Sequence, residues 1–288
     1  MIRDGRAVAA VAILTMIWGS SFFLTTLALE GFHPLAIAFS RVALAGLALV
    51  PLAILTGAGL PQGREWRTAL VLGGIGLALP QSLLAYAQLA LHSGTVSIFI
   101  AAVPLFILLL ARLFLGEFIS IRRWLGFAVG FGGLLVLAGP SAFGGMAGDG
   151  QAVLMAVIAA ICYAISSVSI RGMKGMHPLR ATAGAMVAAS AVSAPFGLTH
   201  LPQVLPEWPA IAGLLALGLF PTGIAQILRY YTVRRSGPVF ASIVGYLIPI
   251  WAGFLGVFIL DETLGLREFG AYALILTGLL VARERAKP

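Results

Sequence analysis

The sequence predicts an all-α integral membrane protein with ten transmembrane helices, arranged as two inverted five-helix repeats around a central cavity. Hydrophobic residues make up 60% of the chain and charged residues 10%, a balance that a soluble domain could not expose to water. The apolar runs are about 20 residues long, which is the length that a helix needs to cross about 30 Å of hydrocarbon. Short motifs also recur in the same order in both halves, which indicates an internal repeat.

Charged and turn-rich breaks divide the chain into ten apolar segments. The first follows Arg3 and Arg6 and has no cleavage-like ending after its apolar core, so it is predicted to be a retained span and not a signal peptide. The last is short, but removing any span would break the charge alternation described next. The predicted spans cover approximately residues 7–29, 34–56, 67–91, 94–115, 124–140, 151–171, 178–198, 208–230, 237–260 and 267–284.

Basic residues alternate between successive connections along the chain. All but two of the 18 lysines and arginines fall on the side that carries both termini, and the exceptions are Arg41 and Arg267. Because basic residues accumulate in cytoplasmic loops, both termini are predicted to be cytoplasmic in a multi-pass protein of the bacterial inner membrane. The formal charge of +8 comes from these short clusters, so the lipid bilayer is an expected partner and nucleic acid is not.

Two apolar stretches in different halves end in the same way. Pro104 precedes Glu117 at the spacing at which Pro249 precedes Glu262. The other matching motifs are GFHP at 31–34 with GMHP at 175–178, SG at 93–94 with SG at 236–237, and GLLV at 133–136 with GLLV at 278–281. These matches predict a first repeat over residues 1–145 and a second over residues 146–288. Because each repeat has an odd number of spans, the second must enter the membrane from the opposite face, a topology typical of secondary transporters.

Four prolines lie at matched depths inside predicted spans, and we interpret them as hinge or gating positions. Proline removes a backbone donor and leaves the carbonyl four residues earlier without its helical partner. Hydrocarbon cannot satisfy such a carbonyl, so helices interrupted near the middle of the bilayer should face protein or a water-filled cavity. A simple packing kink is the alternative at each position. The four are Pro80, Pro104, Pro221 and Pro249.

Three motifs, in their order and spacing, resemble those of the EamA-type drug/metabolite transporter superfamily. They are WGSSF at 18–22, FSRVALAG at 39–46, and a proline followed by GE or DE at the end of span four and its copy. The resemblance covers essentially the whole chain. It implies an exporter or exchanger of small metabolites, commonly amino acids, with spans one, three, four, six, eight and nine around the cavity and five and ten at the periphery. The halves differ where Cys162 and Tyr163 replace Trp18 and Gly19, so strict symmetry of the site is not expected.

Polar and aromatic side chains inside the spans are the candidate substrate-binding residues. A polar group is costly in hydrocarbon, so each should face a cavity or another helix. Several share one helix face by spacing, and together they describe aromatic walls with neutral hydrogen-bonding groups, the usual composition of a small-molecule site. Helix packing is the alternative, above all for the serines and threonines. The candidates are Trp18, Ser21, Gln81, Gln88, Tyr163, Ser166, Ser167, Thr222, Gln226 and Tyr246.

Arg41 is the only basic residue that lies well inside a predicted span. It could hold a substrate carboxylate. It could equally extend to the outer interface or bond freed carbonyls, and this structural role is the preferred interpretation.

The acidic residues and the histidines constrain the transport mechanism. All of them fall at predicted termini, loops or span ends, and none lies at mid-bilayer. Proton relays and sites for cationic drugs usually contain such a group. We therefore hypothesise facilitated diffusion or exchange, by alternating access, of a neutral or zwitterionic solute such as a neutral or aromatic amino acid.

Other classes of function lack their sequence signatures. With a single cysteine, Cys162, and no zinc-binding, nucleotide-binding or nucleophile–base pattern, no enzyme activity, metal or cofactor is predicted. A channel with the same lining stays open. A nucleotide-sugar or other phosphorylated-metabolite exchanger would need basic residues in the cavity, and only Arg41 qualifies. A GxxxG motif at Gly126 and Gly130 predicts helix or protomer packing in a monomer or weak homo-oligomer.

Overall fold

The computed structural model describes residues 5–116, 118–139, 149–171, 176–229, 232 and 243–282. Within these ranges the chain is helical and contains no β-strand, as the sequence predicts. The helices in chain order are α1 (Gly5–Leu29), α2 (Pro34–Leu55), α3 (Glu65–Ala87), α4 (Ser93–Ala101 and Val103–Leu115), α5 (Ile121–Ala138), α6 (Asp149–Arg171), α7 (Pro178–Thr199), α8 (Trp208–Arg229), α9 (Ile243–Ile259) and α10 (Leu266–Ala282).

Most of these helices are long and apolar enough to cross a membrane. Among the described residues, eight helices, α1 to α8, meet both conditions. α9 is apolar but has 17 residues, and α10 also has 17. The all-helical membrane fold is therefore confirmed, and the count of ten spans stays a prediction.

The two halves pack together through contacts between helices of one half and helices of the other. α1 packs against α9, and the equivalent helix of the second half, α6, packs against the two segments of α4. α2 contacts its own equivalent α7, and α5 contacts its equivalent α10. This pattern is what two five-helix repeats related by a two-fold axis produce. The predicted boundary between residues 145 and 146 lies outside the described residues.

Equivalent helices of the two halves also begin in the same way. His33 and His177 each accept a hydrogen bond at Nδ1 from the backbone N–H two residues later, both at 3.3 Å, and a proline occupies the first turn that follows. A side-chain acceptor before a proline satisfies one of the unpaired N–H groups at a helix start. The repeated His-Pro motif is thus a helix start for α2 and α7.

Small residues bring α5 and α10 into direct backbone contact. A Cβ atom at Gly126 would overlap the backbone of Gly278 and Ala282, and one at Gly130 would overlap Leu105. The GxxxG motif therefore packs helices within the chain, which is one of the two roles that its sequence predicts. Both helices lie at the periphery of the cavity described below.

The four predicted hinge prolines have different local structures. Helix α4 breaks at Ala102, two residues before Pro104. In α3 a π-helical segment, Val71–Ala78, precedes Pro80, and in α8 a π-helical segment, Gly218–Ile224, contains Pro221.

The predicted interruption at Pro249 is wrong, because α9 continues through this residue. The residue four positions earlier is Gly245, which has no side chain and has open space where a Cβ would be. The backbone can therefore tilt away from the proline ring without ending the helix.

Candidate functional site

A cavity of about 1350 Å³ lies between the two halves of the molecule. Its walls come mainly from α1, α2, α3, α4, α6, α7, α8 and α9. All of the predicted binding residues line it, although their contact with a substrate stays a prediction. They are Trp18, Ser21, Gln81, Gln88, Tyr163, Ser166, Ser167, Thr222, Gln226 and Tyr246.

The cavity extends toward one end of the helices. We call the side on which α1 begins the terminal face and the other side the opposite face. Arg123, Met176 and Pro178, which lie at helix ends on the terminal face, belong to the lining. Toward the opposite face the lining reaches Thr25, one turn before α1 ends, and Gln88, the residue that follows α3.

Hydrogen bonds at the π-helical segment of α8 organise one wall. Trp18 Nε1 donates to the carbonyl of Pro221 at 3.0 Å, so the only polar group of this indole is used between helices. Thr222 Oγ1 donates to the carbonyl of Leu217, five residues earlier, at 2.7 Å. Because Pro221 has no N–H, the carbonyl of Leu217 four residues earlier lacks its α-helical donor, and the Thr222 hydroxyl satisfies it, while α1 bonds the carbonyl of Pro221 itself.

Arg41 lies on this wall and not at a membrane interface. Its Nε donates to Thr222 Oγ1 at 3.2 Å, and its guanidinium is close enough to the hydroxyl of Tyr163 for an electrostatic interaction. The predicted extension to the outer interface is therefore wrong, whereas a structural bond between helices is present and a role in substrate binding stays a prediction. The wide turn at Thr222 places a hydroxyl inside the protein within reach of α2, and the cavity accommodates the charge.

Gln81 presents an unsatisfied acceptor. The residue is 6% exposed, and within the described part of the chain its Oε1 atom has no hydrogen-bond partner. Gln88, the residue that follows α3, differs because its Oε1 accepts a hydrogen bond from Thr26 Oγ1 at 3.3 Å. Ser166 of α6 lies directly against Gly76 of α3, where a Cβ atom would overlap its hydroxyl.

Several hydroxyls of the lining donate to carbonyls of their own helices. Ser21 bonds the carbonyl of Trp18 at 2.6 Å, Thr25 that of Ser21 at 2.7 Å, and Ser167 that of Tyr163 at 2.8 Å. Such bonds satisfy the donor inside a helix and leave the oxygen lone pairs available. These hydroxyls can therefore accept hydrogen bonds from a ligand.

The charges that line the cavity are all positive among the described residues. They belong to Arg41, Arg123 and Arg229, and no described aspartate, glutamate or histidine is part of the lining. The last two arginines escaped sequence reasoning because they lie at helix ends on the terminal face, where they were attributed to membrane topology.

Two of the four predicted hinge prolines reach the cavity. Pro104 and Pro221 line it, whereas Pro80 and Pro249 are buried elsewhere between helices. The hinge role itself stays a prediction.

Polar contacts join the helices at the opposite face. The carboxylate of Glu262 accepts hydrogen bonds from the backbone N–H groups of Ser93 and Gly94 at 2.7 and 3.1 Å. The rings of His33 and His200 stack with their centroids 4.2 Å apart, and Tyr86 meets His33 edge-on at 5.7 Å. Burial and, to a smaller extent, the neighbouring His200 lower the pKa of His33 below its ordinary value of 6.5. These polar and aromatic contacts lie at the face toward which the cavity lining ends.

The family comparison matches the chain twice. The model of the EamA-like transporter family covers residues 5–139 and again residues 150–283. The chain belongs to the EamA-like transporter family. It is therefore a membrane transporter.

Curated relatives of this EamA-like transporter cover nearly its whole length. An "Uncharacterized inner membrane transporter YedA" of Escherichia coli K12 is 30% identical over 277 residues, which are 94% of this chain and 89% of that protein. An "Uncharacterized transporter" of Archaeoglobus fulgidus is 26% identical, covering 96% of this chain and 98% of its own length. A "Probable terminal-alkyne amino-acid exporter" of Streptantibioticus cattleyicolor is 27% identical, and the match covers 86% of this chain and 83% of that protein.

A solved crystal structure has the same fold. It superimposes with a TM-score of 0.67 at 22% sequence identity, over 96% of this chain and 97% of the other. At that identity the likeness concerns the fold alone.

Proposed function

We propose that this EamA-like transporter exports or exchanges neutral and aromatic amino acids across the bacterial inner membrane. The observation that carries the proposal is a cavity whose described lining combines aromatic rings, neutral polar groups and arginines with no carboxylate or histidine. An α-amino acid carries an ammonium and a carboxylate group on the same carbon, so its site needs acceptors, donors and room for a side chain. The relative named as an amino-acid exporter adds support for this class of solute.

The aromatic members of the lining favour an apolar or aromatic side chain. Trp18, Phe22, Tyr163 and Tyr246 supply large rings around the cavity. The indole of Trp18 is held by its bond to Pro221, and the backbone carbonyl of Tyr246 accepts a hydrogen bond from the hydroxyl of Tyr272. The indole of Trp18, which its bond to Pro221 holds in place, can pack against a solute at a low cost in side-chain entropy.

Alternating access follows from the inverted repeat and the one-sided cavity. If both termini are cytoplasmic, as the charge pattern predicts, the cavity extends toward the cytoplasm and the contacts of Glu262 and His33 close the outer side. When the two repeats exchange their conformations, the cavity would close at the terminal face and open at the opposite face. Pro104 and Pro221, at breaks in helix geometry beside the cavity, are the proposed hinges.

Facilitated diffusion or exchange is proposed in place of proton-coupled extrusion. A proton relay needs a group that titrates inside the pathway, usually a carboxylate or a histidine. The described lining has neither.

An exchanger of phosphorylated metabolites is the second candidate. The observation that favours it is the presence of Arg123 and Arg229 in the lining together with Arg41, because arginines bind phosphate well. Both additional arginines lie near the terminal face, whereas Arg41 lies among the aromatic residues. This distribution fits a single deep anionic group better than a cluster around one phosphate.

Counterflow in proteoliposomes tests the proposal. The vesicles are loaded with one unlabelled amino acid and given a labelled trace outside, with neutral, aromatic, basic and acidic solutes compared. We expect saturable accumulation of neutral or aromatic amino acids, reduced by Trp18→Ala and by Gln81→Ala and unchanged by the control Trp124→Ala on peripheral α5. Accumulation of a sugar phosphate and of no amino acid would instead establish the second candidate, and non-saturable flux would indicate a channel.

A further inference from the structure

The guanidinium of Arg41 is only partly satisfied by protein groups. Its Nε bonds Thr222, and among the described residues neither terminal nitrogen has a hydrogen bond or an ion pair. No described acidic residue lines the cavity into which this side chain projects. A cation surrounded by protein and lipid is stabilised by an anion, so the structure leaves the anion to be supplied by a ligand.

The bond to Thr222 also orients the guanidinium. When Nε is held at 3.2 Å from Thr222 Oγ1, the two terminal nitrogens form the end of the planar group that remains free. Thr222 is itself fixed, because its hydroxyl donates to the carbonyl of Leu217 and the residue is 2% exposed. Two parallel N–H donors at the end of a guanidinium match the two oxygens of a carboxylate.

Gln81 supplies the complementary group on the adjacent helix. Val42 of α2 and Ala78 of α3 belong to one buried cluster, so Arg41 and Gln81 lie on helices that pack together beside the same cavity. The Oε1 atom of Gln81 is buried and has no partner in the described structure. A buried acceptor without a donor is unfavourable. Because this atom has less than 1 Å² of accessible surface, the Gln81 side chain must turn toward the cavity before an ammonium group of a ligand can satisfy it.

We propose that Arg41 binds the α-carboxylate of the transported solute and that Gln81 accepts a hydrogen bond from its α-ammonium group. This inference rests on the proposed function and adds the groups that would select for a zwitterion. The solute side chain then points toward the aromatic rings of Trp18, Tyr163 and Tyr246. Molecules that lack either charged group leave one of the two protein groups unpaired, and the pair therefore discriminates against amines and simple carboxylic acids.

The test compares phenylalanine with analogues that lack one charge. Counterflow of labelled phenylalanine is competed with phenylalaninamide, which lacks the carboxylate, and with 3-phenylpropionate, which lacks the ammonium. In the wild type we expect only phenylalanine itself to compete well. Arg41→Gln should raise the KM for phenylalanine by about tenfold and reduce the preference over phenylalaninamide, because one charge-assisted pair is lost. Gln81→Leu should reduce the preference over 3-phenylpropionate.

Controls separate recognition from folding. Arg64→Gln removes an exposed arginine at the terminal face and should leave the KM and both preferences unchanged. If Arg41→Gln does not insert stably, Thr222→Val and Thr222→Ser test the same orientation: valine should raise the KM for phenylalanine and serine should restore it.

Two failures are distinguishable. Absence of counterflow with every amino acid in the wild type would reject the proposed function. Saturable phenylalanine counterflow whose KM and preferences are the same in Arg41→Gln, or in Thr222→Val where that variant replaces it, would reject the zwitterion pair while leaving the transporter proposal intact.

Discussion

Glu262, which follows α9, binds the first backbone N–H groups of α4 through both carboxylate oxygens, Oε1 to Ser93 at 2.7 Å and Oε2 to Gly94 at 3.1 Å. A carboxylate at a helix N-terminus satisfies unpaired donors and interacts favourably with the helix dipole. The bond joins the second repeat to the first at the opposite face, where the cavity lining ends. The residues that the repeat matches to these, Glu117 and 236–237, lie outside the described residues.

Glu262→Gln should therefore weaken the closure of the opposite face. Loss of the charge should cost about 1 kcal/mol, which is roughly a fivefold shift of the conformational equilibrium. The measurement is labelling of Thr25→Cys, in a Cys162→Ala background, by a membrane-impermeant maleimide added from the opposite face. We expect faster labelling with Glu262→Gln. Asp261→Asn, which changes the adjacent exposed carboxylate, should label at the unmodified rate, and equal rates in all three would contradict the closing role.

Gly126 should be intolerant of a side chain, while Gly132 on the same helix should tolerate one. A Cβ at Gly126 would overlap the backbone of Gly278, whereas one at Gly132 would meet no atom within 4 Å. Gly126→Ala is expected to destabilise the protein by about 1–3 kcal/mol through forced separation of α5 and α10. Thermal stability in detergent measures this effect. A Gly132→Ala melting temperature as low as that of Gly126→Ala would contradict the packing explanation, because alanine favours a helix more than glycine does and position 132 has room for it.

Helical periodicity in the sequence was sufficient to identify candidate residues that line the cavity. Residues such as Trp18 and Ser21, or Tyr163 and Ser166, share a helix face, and a polar face in a membrane helix has few places to point except inward. Periodicity predicts the face of the helix on which a side chain lies, but not the distant residue that the side chain contacts. The bonds from Trp18 to Pro221 and from Ser93 to Glu262 join residues 203 and 169 positions apart, and only the folded chain shows them.

The prolines illustrate a second limit of the sequence. Pro104 and Pro249 occupy matching positions in the repeat, yet only the first lies beside a helix break. The consequence of a proline depends on the residue four positions earlier and on the space around it, which at Pro249 is a glycine with open surroundings. For Arg41 the sequence left the cavity and the outer interface open as positions, and its bond to Thr222 decides for the cavity.

His33 should make the protein less stable in mild acid. Because its pKa in the folded protein lies below the ordinary value of 6.5, protonation favours the unfolded chain. The full stability is present above about pH 6.5 and decreases as the pH falls from there toward the folded pKa. His33→Asn keeps an acceptor for the start of α2 and removes the titrating ring beside His200 and Tyr86.

Melting temperatures measured between about pH 8 and about pH 5 test this effect of His33. We expect a smaller loss of stability on acidification in His33→Asn than in the wild type. His92→Asn, at the start of α4 and without a side-chain capping bond, serves as the control and should follow the wild type. Identical pH profiles for His33→Asn and the wild type would exclude His33 as the source.

Gly76 should determine the shape of the cavity beside Ser166. Its missing Cβ leaves room for the Ser166 hydroxyl, and Gly74 in the same π-helical segment faces open space. Gly76→Ala should push Ser166 and α6 away from α3 and lower counterflow by about tenfold, because small displacements in a binding site are costly. Gly74→Ala should keep wild-type transport. Since both variants add one methyl group to the same segment, equal transport in the two would mean that the close approach of α3 and α6 does not shape the substrate site.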